Sequence, residues 1–354
     1  MKCKKIGVLF FCIQADLRWE GLLINSQEIF FIIINGGMPM RRFAIKSFLQ
    51  LLIVIISATF LAFTLSYFSP GDPAERLLTV QDTIPTEEAL EKVREEMGLN
   101  DPFLIQYGRW FGNILKGDMG VSYKTNRPVT DVLLQRIPMT IRLSVVALIL
   151  LLVISLPLGV LSAIYQNRFM DYLIRVLSFF GISMPTFWLG LLLIYFFVVK
   201  ISWFTITNPY ELKSVFLPAL TLAIPLIGRY TRFIRAAALE ELSQDYVTSA
   251  RARGIRDNKI IFRHVLPNAM TGIITLFGMS IAALLSGAVI VEYIFIWPGV
   301  GSIALQAIEY RDYPLLQGYV VFMSVIYVTI SFIVDIATQY IDPRVTMRSG
   351  SITR

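Results

Sequence analysis

Long apolar runs alternate along this chain with shorter, arginine-rich polar stretches. Runs 47–71, 143–167, 176–199 and 313–334 contain no Asp, Glu, Lys or Arg, and a fifth, from about 267 to 291, is equally clean. A sixth, 214–228, stops at Arg229 and extends to about 234. A bilayer core takes about 20 helical residues to cross. A segment in lipid must satisfy its own backbone hydrogen bonds, so these runs are expected to be helices and not strands. The pattern predicts an all-α membrane protein with six spans, at about 47–69, 142–166, 176–199, 214–235, 267–291 and 313–335. Arg229, Arg232 and Arg235 share a face at the end of the fourth span, where their side chains can snorkel towards headgroups.

Two connecting stretches carry patterns of their own. The first, 69–139, is too long for a plain connector. Thr86 can cap a helix whose first turn holds Glu87 and Glu88 and whose apolar stripe is Leu90, Val93 and Met97, with Gly98 at its end. Phe103, Leu104, Tyr107, Phe111, Ile114 and Leu115 then mark a second amphipathic helix, closed by Gly117. This segment can cap the membrane surface, meet a solute-binding partner, or do both.

The second stretch, 240–267, is the most cationic part of the chain and lies between the fourth and fifth spans. Each of Arg251, Arg253, Arg256, Lys259 and Arg263 would cost roughly 2.5–3.5 kcal/mol at a helix centre in lipid, so the stretch lies outside it. Tyr246, Ala250 and Gly254 recur at i, i+4 and i+8, with Val247 beside them, which predicts a short helix from about Asp245. Gly254 suits the left-handed position that ends a helix, and Pro267, after Leu266, suits the first turn of the next. A short exposed helix with a small and apolar face is shaped to dock into a partner, with Tyr246 and Ala250 towards it.

Charge sets the orientation. Arg41, Arg42 and Lys46, Arg168 and Arg175, the basic residues from 229 to 263, and Arg344, Arg348 and Arg354 fall on one side. The opposite short loops hold Lys200, Lys213 and Arg311. The positive-inside rule places both termini and the 240–267 loop in the cytoplasm. Residues 1–39 hold two apolar runs too short to span, broken by Arg18, Glu20 and Glu28, and read as an extension ahead of the core 40–346. Residues 347–354 read as a cytoplasmic tail.

Composition narrows the function classes. A mean hydropathy of +0.64 with 16% charged residues is outside the range of soluble or disordered chains. The net charge of +7 is accounted for by loop charge on a membrane protein, in preference to nucleic-acid binding. The only cysteines are Cys3 and Cys12, and the only histidine is His264, so neither a metal cluster nor a histidine-based catalytic group is expected. No G-x-x-x-x-G-K-[ST] phosphate loop, HExxH or G-x-S-x-G occurs, and no cofactor is implied. ATP-driven work would need a separate subunit.

Local words then agree with one another. Tyr246-Val247-x-x-Ala250-Arg251-Ala252-Arg253-Gly254 followed by Leu266-Pro267 resembles the conserved cytoplasmic loop of ABC importer permeases. Thr248, Ser249 and His264 depart from the general pattern in a way that looks like the peptide/nickel subfamily. Gly71-Asp72-Pro73-Ala74, Gly98-Leu99-x-Asp101-Pro102, Gln106-Tyr107, Gly117-Asp118-x-Gly120 and Arg127-Pro128-Val129 resemble the same family. So do Ser183-Met184-Pro185-x-Phe187-Trp188, Glu292-x-Ile294-Phe295-x-Trp297-Pro298-Gly299-x-Gly301, Arg311-Asp312-Tyr313-Pro314 and Asp342-Pro343-Arg344. The resemblance covers about 40–346. It implies a permease that pairs with a second homologous permease, two cytoplasmic ATPases and an extracytoplasmic binding protein, and works by alternating access. Asp245, Tyr246, Ala250, Gly254, Leu266 and Pro267 would be its ATPase-coupling residues. Substrate type is left open between peptides, nickel and metal chelates, with residues 126–129 leaning towards nickel. An intramembrane enzyme would need paired catalytic groups within the spans, and none is visible. A structural or assembly protein would leave the docking loop unexplained.

Within the spans, Pro157, Pro185, Pro218 and Pro225 read as bends in preference to gates. Gly278, Ala282, Ser286 and Gly287 make a small face on the fifth span that suits close helix packing and a translocation path equally. Glu292 and Asp335 fall at span ends, where a solvated or paired carboxylate is the ordinary reading.

Overall fold

The computed structural model describes residues 40–69, 72–80, 86–205 and 208–341 of the 354-residue chain. The 1–39 extension, the 347–354 tail, Gly71 and Asp342-Pro343-Arg344 lie outside the described residues, as does the side chain of Asp335. The chain forms two compact units, 52–334 and the ends 1–51 with 335–354. Of the ends, the described part is helical: the start of α1 (Met40–Tyr67) and the close of α13 (Tyr313–Ile341).

Among its described residues the larger unit consists of helices joined by turns and loops, with one isolated bridge, Val121 to Pro128, and no strand. After α1 come three short helices, α2 (Pro73–Val80), α3 (Glu87–Met97) and α4 (Phe103–Leu115). The long α5 (Val129–Ile164) follows, then α6 (Phe169–Ser183) and α7 (Thr186–Leu193), which runs on as a π-turn, Ile194–Lys200. Next are α8 (Leu212–Leu242), α9 (Asp245–Ala252) and α10 (Asp257–Ile260). A second π-turn, Ile261–Val265, joins α10 to α11 (Leu266–Ile294), and α12 (Val300–Tyr310) precedes α13.

The core is the contact of α8 with α5 and α11. Leu143, Ala147 and Leu151 of α5 meet Leu217, Ala219, Leu222 and Ala223 of α8, and Ile273, Leu284, Ala288 and Val291 of α11. A second cluster, Val129, Val132 and Leu133 with Val300, Ile303, Ala307 and Leu315, ties the start of α5 to α12 and α13. The backbones come close where side chains vanish. A Cβ at Gly228 on α8 would sit 2.5 Å from the Ser178 carbonyl oxygen on α6.

Among the described residues, α5, α8 and α13 are long and apolar enough to cross a membrane, and α6 with α7 makes one further, bent candidate. A bend at Pro185 is expected within 176–199, and here it is a full break: the two halves meet at 105°. Pro185 removes a hydrogen-bond donor, and Met184 before it takes the extended conformation (φ −82°, ψ 128°) that a pre-proline residue favours. By contrast, α5 continues through Pro157 and α8 through Pro218 and Pro225. The second and fourth elements also outrun their expected bounds. Helix α5 begins at Val129 and not near 142, because Val129, Val132 and Leu133 have a core to bury in. Helix α8 continues to Leu242, past the expected end at 235.

Arg235 also departs from expectation. Instead of snorkelling, its guanidinium donates to both carboxylate oxygens of Asp171 at 2.8 and 2.9 Å. Asp171 is fully buried and also accepts from the Ser162 hydroxyl at 2.5 Å and the Asn167 N–H at 2.9 Å. A carboxylate so placed competes successfully with headgroups for the cation, and it locks the turn between α5 and α6 onto α8.

The 86–117 segment forms as the pattern predicts. The Ala89 N–H donates to Thr86 Oγ1 at 3.4 Å, and Gly98 closes α3 in the left-handed region (φ +64°). Helix α4 lies on α1 through aromatic edges: Phe63 meets Phe103, Tyr107 and Trp110 at ring separations of 5.4–5.6 Å. The Thr59 and Tyr107 hydroxyls are bonded at 3.1 Å. Leu104 and Leu115, expected on the packed stripe, are 71% and 73% exposed. Trp110 takes that place.

Candidate functional site

The stretch from 243 to 265 is built as a small folded platform. Helix α9 runs from Asp245, where expected, and ends at Ala252, about two turns later. Gly254 follows with φ +74°, and the Ile255 N–H returns to the Ala250 carbonyl at 3.2 Å. A Cβ at 254 would meet nothing within 4 Å, so this glycine is required by backbone conformation and not by crowding.

The inner face of α9 differs from the expectation. Val247 and Ala250 are buried in a cluster with Ile260 and Val265, flanked by Leu242, Tyr246 and Ile255. Ala250 therefore faces its own chain and is not free to meet a partner. An apolar face on so short a helix finds cover nearest at hand, in the return segment α10. Tyr246 is half-buried: its hydroxyl donates to Glu241 at 2.8 Å and accepts from Asn268 at 3.5 Å. Burial, then the Glu241 carboxylate, raises its pKa.

The outer face is left to the solvent. Asp245, Thr248, Ser249, Arg251, Ala252, Arg253 and Gly254 are exposed, as are Arg256, Lys259 and Arg263 on the return. One ion pair, Arg251 to Asp257 at 2.8 Å, crosses between α9 and α10. The platform thus presents small residues ringed by cations. As expected, α11 opens at Leu266 with Pro267 in its first turn, but without a break before it: the π-turn of 261–265 follows α10 and runs straight into it. Pro267 cannot donate to the carbonyl four residues back, and a wider turn just before it accommodates the missing bond.

Of the small residues on α11, Gly278 is a packing residue. A Cβ there would come within 2.5 Å of Val334 on α13. Ala282, Ser286 and Gly287 lie further along the same helix, and their side chains are outside the described part.

Sequence reasoning undervalued Glu292. It is fully buried, not solvated. Its carboxylate accepts from the Thr140 hydroxyl at 2.6 Å and the Ser302 N–H at 3.0 Å, while Thr140 accepts from the Val300 N–H at 2.8 Å. The Trp297 N–H returns to the Glu292 carbonyl at 2.7 Å, and its indole donates to the Met139 carbonyl at 3.0 Å. A Cβ at Gly299 would overlap the carboxylate itself. The Glu-x-Ile-Phe-x-Trp-Pro-Gly-x-Gly run is thereby explained: an acid from α11 caps the amino end of α12 and pins both to α5. Asp312 plays a matching part at α13, buried and accepting from the Ser122 hydroxyl at 2.6 Å and the Lys124 N–H at 3.2 Å. Asp72 does so at α2, accepting from the Ala74 N–H and pairing with Arg94 at 2.6 Å. For Asp72 and Asp312 the wording was the signal, an acid next to a helix start, whereas Glu292 lies near the end of α11 and reaches α12 only in the fold.

Fold and site together define a multi-pass helical membrane protein with a folded basic platform between two of its helices. Comparison with known proteins narrows the class. The model of the binding-protein-dependent transport system inner membrane component matches residues 155–347, and that of the corresponding N-terminal part matches 40–144. The chain belongs to this family, the inner-membrane permeases of ABC importers of the peptide/nickel type, whose members are transport subunits and not enzymes themselves. It is 36% identical over 317 residues to the oligopeptide transport system permease protein AppB of Bacillus subtilis (strain 168), covering 86% of this chain and 99% of that one. It is 36% identical over 329 residues to the probable D,D-dipeptide transport system permease protein DdpB of Escherichia coli (strain K12), covering 85% and 96%. With the glutathione transport system permease protein GsiC of the same strain it shares 32% over 306 residues, covering 86% and 99%. An inward-facing MetNI methionine ABC transporter superposes with a TM-score of 0.51 at 18% identity, over 60% of this chain and 97% of that one, a likeness of fold.

Proposed function

We propose that this chain is the membrane-spanning half of an ATP-driven importer of peptides, crossing the bilayer six times with both termini in the cytoplasm. It pairs with a second homologous permease, two cytoplasmic ATPases and an extracytoplasmic binding protein. Closure of the ATPases on ATP moves the 243–265 platform, and the helices beneath it re-orient the path from one side to the other. The observation that carries this reading is the platform itself: an exposed set of small residues and cations held rigidly on a buried cluster. Asp245, Gly254 and the exposed part of Tyr246 act at the contact, whereas Ala250, Leu266 and Pro267 act by holding its shape.

Peptides are favoured as cargo by the names of the relatives, which are those of oligopeptide, dipeptide and glutathione permeases. Nickel, towards which residues 126–129 lean, is the reading that transport must separate.

Purification of the tagged chain from its native membrane tests the assembly. Two ATPase subunits are expected to follow it through detergent, and uptake of labelled peptide, not of nickel with or without a chelator, is expected to need it. A chain that purifies without any ATPase while uptake continues would contradict the reading. The orientation is checked separately with Cys3 and Cys12 replaced by Ser. An impermeant thiol reagent outside is expected to label cysteine placed at 88 or 116 and to miss 256.

A further inference from the structure

Where α11 hands over to α12 the surface opens into a cavity of about 590 Å³. Tyr293, Ile296 and Trp297 line one part of it, Gln306 and Glu309 another, and Lys124 and Arg136 bring positive charge. Its floor is rigid, because Glu292 beneath is bonded to Thr140 and Ser302.

The cations around this junction are spent differently. Arg142 of α5 donates to the carbonyls of Pro209, Tyr210 and Glu211 at 3.0–3.2 Å. The Lys124 ammonium rests on the Tyr310 ring, 3.2 Å from its centre. Arg136 is partly buried, yet its guanidinium forms no hydrogen bond or ion pair to any described residue. Glu292 attracts it, but the Glu292 oxygens are already taken by Thr140 and Ser302. Five donors in a planar fork are thus left facing a cavity.

Ile296 adds an independent sign. It holds φ +52° although β-branched, and it is 75% exposed at the cavity's edge. A β-branched residue in the left-handed region is strained, and such strain collects at binding and switch sites.

We propose that this cavity receives the carboxylate end of a short peptide in transit, with Arg136 gripping the carboxylate as a fork and Lys124 adding charge at the rim. The Tyr293 and Trp297 rings flank the neighbouring side chain, and the exposed Glu309 offers an acceptor to an ammonium group. Two cations against one uncommitted carboxylate suit an anionic or zwitterionic ligand better than a metal cation. The assignment rests on the permease reading and sharpens it, because it names the chemical handle that the membrane path recognises.

The test uses the complete transporter in cells without other peptide uptake, with radiolabelled Ala-Phe as the probe and rates normalised to membrane abundance. Arg136→Gln is expected to lower the maximal uptake rate by about tenfold, the scale of one lost charge-assisted contact, while Arg136→Lys, which keeps the charge and loses the fork, is expected to fall between Arg136→Gln and wild type. Arg136→Gln within about twofold of wild type would overturn the site, a margin well below one such contact. Arg136→Lys equal to wild type would overturn the fork, since a point charge at that place would then suffice. Failure of the wild-type chain itself to support Ala-Phe uptake above a strain lacking it would remove the peptide-cargo reading and, with it, the site.

Discussion

The Glu292 junction and the 243–265 platform are both rich in family motifs, but they use their polar atoms in opposite ways. At the junction the acid is fully buried and its partners, Thr140 and Ser302, lie within 3.0 Å. On the platform, Val247 and Ala250 are hidden while Arg251, Arg253, Arg256, Lys259 and Arg263 stand in solvent. A motif whose polar atoms are consumed internally builds the scaffold. One that keeps most of its cations in solvent above a buried apolar base, with Arg251 paired to Asp257 and Arg253 to the Ser249 carbonyl, is the kind of surface the proposed docking needs. Substitutions at the first should remove protein, and at the second should remove transport.

The largest loss is expected at Glu292. Glu292→Ala leaves the buried Thr140 hydroxyl and Ser302 N–H without their acceptor, at about 1–3 kcal/mol each, and opens a void beside Gly299. Folded protein in the membrane should fall several-fold, as measured by quantitative blotting of the membrane fraction. Next comes Arg235→Ala, which leaves the buried Asp171 carboxylate poorly compensated, with only Arg175 as a cation at 3.5 Å, at a cost of up to about 3–5 kcal/mol, read as a lower detergent-melting temperature. Adding Asp171→Asn should recover part of that loss, because the poorly compensated charge is gone. If the pair of substitutions is no better than Arg235→Ala alone, the ion pair is not the reason for the loss.

On the platform the effect on abundance should be small and that on work large. Gly254→Val forces a β-branched residue to φ +74°, at about 1–2 kcal/mol, without a steric clash. Membrane abundance should stay near wild type, while uptake per molecule falls and ATP hydrolysis loses its dependence on substrate. Gly254→Ala should be milder. Smallest of all is Arg251→Ala: its pair with Asp257 is exposed, so the stability change should lie within about 0.5 kcal/mol.

Much of this molecule was legible from residue pattern. Charge-free runs located α5, α8 and α13, and Thr86, Gly98 and Gly254 marked helix ends through capping chemistry that is local by nature. What escaped was non-local. Nothing in the neighbourhood of Arg235 points to Asp171, which lies 64 residues earlier, and Glu292 meets Thr140 across 152. The inward turn of Ala250 depends on α10 folding back beneath α9, a matter of tertiary packing that helical spacing alone does not contain. The break at Met184-Pro185 is a different case. Four prolines read alike in sequence, and only this one ends its helix, with the preceding residue extended.

The central claim, that the outward face of α9 is where this permease meets its ATPase, is tested most directly by site-directed crosslinking in the assembled transporter. With Cys3 and Cys12 replaced by Ser, a cysteine is placed either at exposed Ser249 or at buried Val247, and a short thiol-to-amine crosslinker is applied to inside-out membranes. Position 249 should join the chain to an ATPase subunit, and position 247 should not. Efficient ATPase-dependent uptake with no crosslink from 249, or an equal crosslink from 247, would contradict the account.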